Sequence, residues 1–237
     1  MKKLFFALLG LACVSANAQT VDEVIQKYSA NLGGLEAFNK VKTAKITATY
    51  NTQGMDLPMT IQIINGKAAR TDVEAMGSAV IRCYKDGKAW TQNPFAGTAT
   101  PTEVTGTEVA NYKSQSFLAS GLMDYKARGH QVELLGQEDV EGIKTYKVKL
   151  TSKDDGKVTT YYISTKDYTM IKSATDQEMQ GQTVTVETFY SDLKDFSGIK
   201  FFMTRTQKMN GETFITTTFT NIELDVTIDE KIFDMPK

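Results

Sequence analysis

From Ala44 to Asn51 the chain reads AKITATYN, and from Met59 to Ile63 it reads MTIQI. Ile46, Ala48 and Tyr50 alternate with Thr47, Thr49 and Asn51, and Met59, Ile61 and Ile63 alternate with Thr60 and Gln62. Successive side chains of a strand point to opposite faces, so a period of two reads as strands with one apolar and one polar face. Asn65-Gly66, Asp86-Gly87, Asp154-Asp155-Gly156 and Asn210-Gly211 each fall between such runs. Pairs of this kind accept the positive φ of tight hairpins, which joins the runs into sequential antiparallel strands. Roughly ten or eleven strands are expected from the spacing.

Two stretches break the period. Residues 20–35 open with Thr20 and Glu23 as a capping box, and Val21, Val24, Ile25, Tyr28, Leu32 and Leu35 recur at helical spacing until Gly33-Gly34 ends the helix. Between Thr102 and Gly129 the strands are interrupted again. A second capping-box pattern, Thr105 to Glu108, precedes Val109, Tyr112, Phe117, Leu118 and Leu122, which predicts a helical insert from Thr105 to Arg128. The plan is a helix, about five strands, the insert and about six strands. Strand twist makes a sheet of this size curl. The fold class expected is mainly β (α+β), an open antiparallel half-barrel covered by helices at its mouth and edges.

The first eighteen residues stand apart. Lys2 and Lys3, an apolar run from Leu4 to Val14 and the small residues Ala16 and Ala18 read as a signal peptide (1–18) cut before Gln19, leaving one domain at 19–237. Cys13 raises a lipid-anchor alternative, but Gly10-Leu11-Ala12 lacks the branched aliphatic residue such a site wants three positions earlier. Without Lys2 and Lys3 the chain carries 25 basic and 28 acidic side chains. With no basic block, that near balance argues against a nucleic-acid partner.

Enzyme chemistry finds little support. His130 is the single histidine and has no Cys or carboxylate nearby at metal-ligand spacing. Cys83 is the one cysteine after the signal segment and is expected to be a small buried hydrophobe. Neither carries a nucleophile signature, and Asp154-Asp155 sits where Asp serves a turn. No catalytic residue, metal site or cofactor is expected; a hydrolase built around His130 is the alternative.

The apolar side chains are more informative. Met55, Met59, Met76, Met203 and Met209 lie in or beside strands, where flexible thioethers either fill gaps in a core or line a cavity for chains of variable shape. Phe201, Phe202, Phe214 and Phe219 pose the same choice. Trp90, the only tryptophan, falls on the return strand of the Asp86-Gly87 hairpin. It either packs on the sheet or stands at the edge of a cavity beneath the insert. Asn93-Pro94 ends its strand, and the small residues after Phe95 would let the insert move as a lid.

DGKAWTQNPFAGTAT (residues 86–100) resembles a segment of the LolA-like periplasmic outer-membrane lipoprotein-sorting family, in which a D-G-K hairpin leads through a Trp and an N-P-F turn toward a lid helix. The ending NIELDVTIDEKIFDMPK is similar to that family's closing strand and F-x-x-P tail, here Phe233 and Pro236. The resemblance implies an open half-barrel of about eleven strands whose apolar interior receives lipoprotein acyl chains. It also implies an arginine that grips the lid from early in the sheet. Arg70 is the matching position, although NGKAARTDV lacks the proline expected beside it.

The cavity and lid candidates are therefore Trp90, Phe95, Tyr112, Phe117, Leu122, Met59, Ile61, Phe201, Met203 and Phe214, with Arg70 as the lid contact. The function expected is a soluble periplasmic carrier chaperone for acyl chains of lipoproteins or lipids, working as a monomer toward the outer membrane. An inner-membrane exporter and an outer-membrane acceptor are its expected partners. A lipid-binding envelope sensor on the same fold is the alternative.

Overall fold

The computed structural model describes residues 19–179 and 181–236. The segment read as a signal peptide, with Cys13, lies outside the described residues. Helix α1 (Val21–Asn31) begins with the expected capping box: the Glu23 amide donates to Thr20 Oγ1 at 3.2 Å and the Thr20 amide to Glu23 Oε2 at 3.0 Å. A cap of this kind contributes about 1 kcal/mol. Gly33 and Gly34 end the helix, and a second short helix the spacing did not predict, α2 (Leu35–Lys40), follows at once. Gly33 allows a close approach: a Cβ there would lie 2.2 Å from the Gly198 carbonyl oxygen. Beside it the Lys200 amide donates to the Leu32 carbonyl at 2.9 Å, which pins the end of α1 to the sheet.

Six strands come next: β1 (Thr43–Thr52), β2 (Met55–Ile64), β3 (Ala68–Ala75), β4 (Ser78–Lys85), β5 (Lys88–Asn93) and β6 (Thr98–Val104). After the insert come seven more: β7 (Gln131–Val140), β8 (Ile143–Thr151), β9 (Val158–Ser164), β10 (Met170–Met179), β11 (Gln182–Phe196), β12 (Ile199–Met209) and β13 (Glu212–Leu224). They form one open antiparallel sheet in the order β6-β5-β4-β3-β2-β1-β13-β12-β11-β10-β9-β8-β7. The described residues form thirteen strands, not about eleven, with one more on each side of the insert than the spacing predicts. Before the insert, the run read as a flexible approach to the lid is strand β6. It accommodates Pro101 because β6 is a sheet edge and Pro101 falls in the irregularity between the Thr91–Thr102 and Asn93–Thr98 pairs, where it has no ladder partner.

The insert also differs from the single helix expected. It is a 3-10 turn (Gly106–Glu108), helix α3 (Val109–Ser114), a run of turns and helix α4 (Tyr125–Arg128). Thr105 makes no side-chain cap, and the Ser116 hydroxyl turns back onto the Lys113 carbonyl at 2.7 Å, where α3 has ended. The turns are anchored elsewhere. The Gly66 amide donates to the Ser116 carbonyl at 2.7 Å, and the Leu118 amide donates to Asn65 Oδ1 at 3.1 Å. The β2–β3 hairpin thus holds the insert over the sheet.

Two large apolar clusters occupy the hollow face, with a smaller one of Tyr84, Ala89, Val104 and Tyr112 where α3 meets β4–β6. Val24, Ile25, Tyr28, Leu32 and Phe38 of the helices pack with Val148, Leu150, Ile163 and Ile199 of the later strands and with Ala119, Leu122 and Met123 of the insert. Ala44, Ile46, Ala48, Ile63, Met203, Phe219 and Ile222 form a second cluster around the β1–β13 junction. A further cluster lies on the opposite face of β3–β5, where Ala68, Ile81, Cys83 and Trp90 are covered by Phe233 and its neighbours in the last residues of the chain. No helix among the described residues is long and apolar enough to cross a membrane.

Candidate functional site

Between the sheet and the helical layer lies a cavity of about 1090 Å³. Strand alternation sets its floor. Ile46 and Tyr50 of β1, Leu57, Met59 and Ile61 of β2, Thr71 and Val73 of β3, and Val80 and Arg82 of β4 all project into it. Phe201 and Arg205 of β12 with Thr217 and Phe219 of β13 continue the floor past the junction. Tyr28, Leu32 and Phe38 of the two N-terminal helices and Phe117, Leu118 and Met123 of the insert form the roof. Burial raises the pKa of the Tyr28 and Tyr161 phenols, so both border the cavity as neutral hydroxyls. A smaller cavity of about 630 Å³, bordered by Lys113, Arg128, His130 and Asp154, adjoins it and shares Phe117 and Tyr161.

The size decides its meaning. Protein interiors hold few voids larger than a water molecule, and small-molecule pockets run to about 300–1,000 Å³. A mainly apolar space slightly above that range is large enough to hold a ligand.

Of the candidates read from the sequence, the structure brings Met59, Ile61, Phe95, Phe117 and Phe201 together around the cavity. Phe95, 53% exposed, is at the rim after the Asn93-Pro94 turn, where its amide donates to Asn93 Oδ1 at 3.0 Å. Tyr112, Leu122 and Met203 are buried in the surrounding clusters, and Phe214 is half-buried on β13; none of these four is a lining residue. The residues that sequence reasoning missed include Tyr28 and Leu32, read only as a helix stripe, Phe38, which lies beyond that stripe, and Tyr50, Leu57, Val73 and Arg82. The period-two pattern from Met59 and Ile61 carried forward to β3 and β4 could have found the last two.

Two candidates need correction. Trp90 does not border the cavity. It pairs with Cys83 across β4–β5, whereas Arg82, one residue along, is a lining residue, so alternation sends Trp90 to the other face. There it is 4% exposed and its Nε1 donates to the Phe233 carbonyl at 3.0 Å. Arg70 sits on the same outer face and does not grip the insert. Its Nε and Nη2 bond the Asp72 carboxylate, at 2.7 Å from Nη2, and its Nη1 donates to the Ile232 carbonyl at 2.7 Å. The arginine holds the tail of the chain.

Cys83 and His130 have separate settings. The thiol donates to the Phe233 carbonyl at 3.3 Å under the tail, and burial pushes its pKa up to about 12. His130 Nδ1 accepts the Lys153 amide at 3.1 Å beside the smaller cavity, and burial, followed by the Arg128 charge, lowers its pKa. Neither is poised as a nucleophile or base toward the other.

An open, curled antiparallel sheet with a helical layer over an apolar hollow is the LolA-like half-barrel. The solved structure of a LolA superfamily protein from Nitrosomonas europaea is similar to this chain with a TM-score of 0.58 at 12% identity, covering 92% of this chain and 98% of that one. A domain assigned to outer membrane lipoprotein sorting from Vibrio parahaemolyticus gives 0.60 at 10% identity, covering 91% and 96%. A DUF1329 family protein from Desulfovibrio piger gives 0.59 at 14%, covering 92% and 98%. At these identities the likeness is one of fold. No protein-family model and no curated protein sequence matches the chain.

Proposed function

We propose that this protein is a periplasmic carrier chaperone that holds the acyl chains of lipoproteins or lipids and moves them toward the outer membrane. The observation that carries the reading is the cavity of about 1090 Å³, floored by an open sheet and roofed by helices. Exposing a sixteen-carbon chain to water costs on the order of 12 kcal/mol at about 0.8 kcal/mol per CH₂, so passage between membranes needs a covered apolar space. Met55, Met59, Met76, Met123 and Met170 border the cavity, and their flexible thioethers suit chains of varied shape. Binding and release require no bond chemistry. The likeness in fold to a domain assigned to lipoprotein sorting supports the same reading.

The test is native mass spectrometry of the protein purified from its own cell envelope, alongside Ile61→Trp, which fills the cavity floor. Retained acyl ligands in the wild type and their loss in the folded variant are expected. A ligand-free wild type that also fails to take up added lipopeptide overturns the proposal. Movement of a labelled lipopeptide between donor and acceptor vesicles separates carriage from sensing on the same fold.

A further inference from the structure

The chain has four arginines, and the structure divides them into two kinds. Arg70 is held by Asp72 and the Ile232 carbonyl, as described above. Arg128 donates from Nε to Asp124 at 3.3 Å and from Nη2 to the Ala119 carbonyl at 2.7 Å. Each of these has a carboxylate and a backbone acceptor, as an arginine with a structural task should. Arg82 and Arg205 have neither. Among the described residues, no carboxylate is in salt-bridge reach of either guanidinium and no protein acceptor takes a hydrogen bond from one. Arg82 lies over the Tyr112 ring, 4.4 Å from its centroid, and Arg205 over the Phe219 ring, 4.9 Å from its centroid. A ring face steadies a cation but leaves the in-plane N–H donors free.

Both arginines border the large cavity. The third charged residue of its lining is Lys200, which also has no carboxylate partner among the described residues, and none of the chain's 28 acidic side chains is a lining residue. The chain as a whole carries a net charge of −1, so the one-sided lining does not reflect a surplus of basic residues. While the cavity is open, water satisfies the guanidinium donors. Both arginines are exposed at the cavity's edge, so an entering acyl chain displaces the water on their inner side only, and charged donors left without a partner there would oppose binding. A ligand that brings its own anion removes the conflict, because the planar guanidinium fork matches a carboxylate or a phosphate.

We infer that the cavity takes amphiphiles with an anionic headgroup, a carboxylate or a phosphate joined to the acyl chain, bound by Arg82 and Arg205 with Lys200 adding to the field. This rests on the acyl-binding reading above and narrows it to one class of ligand. The aromatic rings hold both guanidinium groups over the cavity before the ligand arrives.

The experiment titrates the protein, purified from its cell envelope and stripped of lipid, with three probes that share an acyl chain: myristate, myristoyl lysophosphatidylglycerol and uncharged monomyristoylglycerol. At low salt the wild type should favour at least one anionic probe over the neutral one by about tenfold, and the preference should shrink as salt screens it. A preference confined to myristate identifies a fatty-acid carboxylate as the anion, and one confined to the lysophospholipid identifies a phosphate headgroup. The double variant Arg82→Gln/Arg205→Gln should erase the preference, bringing the anionic probes to the affinity of the neutral one. Arg82→Lys/Arg205→Lys should restore part of it. Equal wild-type binding of all three probes overturns the inference, as does a preference that survives the Gln variant or a Gln variant that weakens all three alike. Binding of none of them overturns the acyl-binding reading itself and this inference with it.

Discussion

Arg70 and Arg82 stand on neighbouring strands, and the pleat sends them to opposite faces of the same sheet. On the outer face Arg70 is bonded to Asp72 and to Ile232, Trp90 and Cys83 both donate to the Phe233 carbonyl, and Phe233 is 1% exposed. On the inner face Arg82 touches a ring and faces a void. One set of strands therefore has a finished side and an unfinished side. The finished side needs only the last residues of the chain to complete it. The unfinished side has apolar walls and unpaired cations, which is the state expected of a surface completed by something other than the protein.

The sharpest way to break this comparison is to ask whether filling the inner face disturbs the outer one. Cys83 is the reporter. With its pKa raised from 9.0 to about 12, the thiolate available at neutral pH falls about a thousandfold, and the tail covers the sulfur. Alkylation by iodoacetamide should be slower in the native protein than in urea by at least about that factor. An acyl ligand should leave the native rate unchanged. Faster labelling at saturating ligand would show that the tail lifts when the cavity fills, and the two faces would then be one device.

A smaller effect compares the same truncation on the two faces. Ile81 is buried beside Trp90 and Phe233, whereas Ile61 is a half-buried wall of the cavity. Ile81→Ala should cost about 2–5 kcal/mol, because a close-packed site collapses poorly around the missing methylenes. Ile61→Ala should cost less than half as much, since its side chain already borders empty space. Urea unfolding followed by circular dichroism measures both. Equal losses would mean that the inner wall is packed as tightly as the outer one, and the cavity would lose its standing as a prepared site.

The contrast also explains which parts of the molecule were legible in the sequence. Asp86-Gly87 and Asn210-Gly211 are hairpin turns in which both residues take the positive φ that Asp, Asn and Gly tolerate, whereas at Asn65-Gly66 only the glycine does. Gln53-Gly54, Met76-Gly77, Glu141-Gly142 and Ser197-Gly198 put the same positive φ on residues that do not announce it, so those turns were silent. Helix α2 was hidden because Gly33-Gly34 reads as a stop, and a chain can restart a helix after two glycines. Met59 and Ile61 were readable from local alternation as one face of a strand, and that face borders the cavity. The place of Trp90 was not. Its face is fixed by the register with Cys83, and its partner, Phe233, lies 143 residues away, beyond the reach of any local pattern.

That distance sets the smallest expected effect. As a cavity residue, Trp90 would change its emission when an acyl chain arrived. In the structure its ring is 4% exposed, its Nε1 is bonded to the tail, and the Arg70 guanidinium lies 5.7 Å from the ring centroid. Lys67–Glu230 and Lys85–Asp234 tie the edges of the tail, although exposed pairs of this kind add little, and the main hold is the burial of Phe233 and Trp90. None of these contacts involves a side chain that a ligand in the cavity would displace. Titration with myristoyl lysophosphatidylglycerol should therefore leave the emission maximum of Trp90 where it was, while native mass spectrometry records the ligand bound. Truncation before Asp229, which strips the tail, should move the maximum toward longer wavelength with no ligand present, because the indole then meets water. A saturable shift in the intact protein would show that the sheet between Arg82 and Trp90 flexes as the cavity fills, so that the finished face reads out the state of the unfinished one.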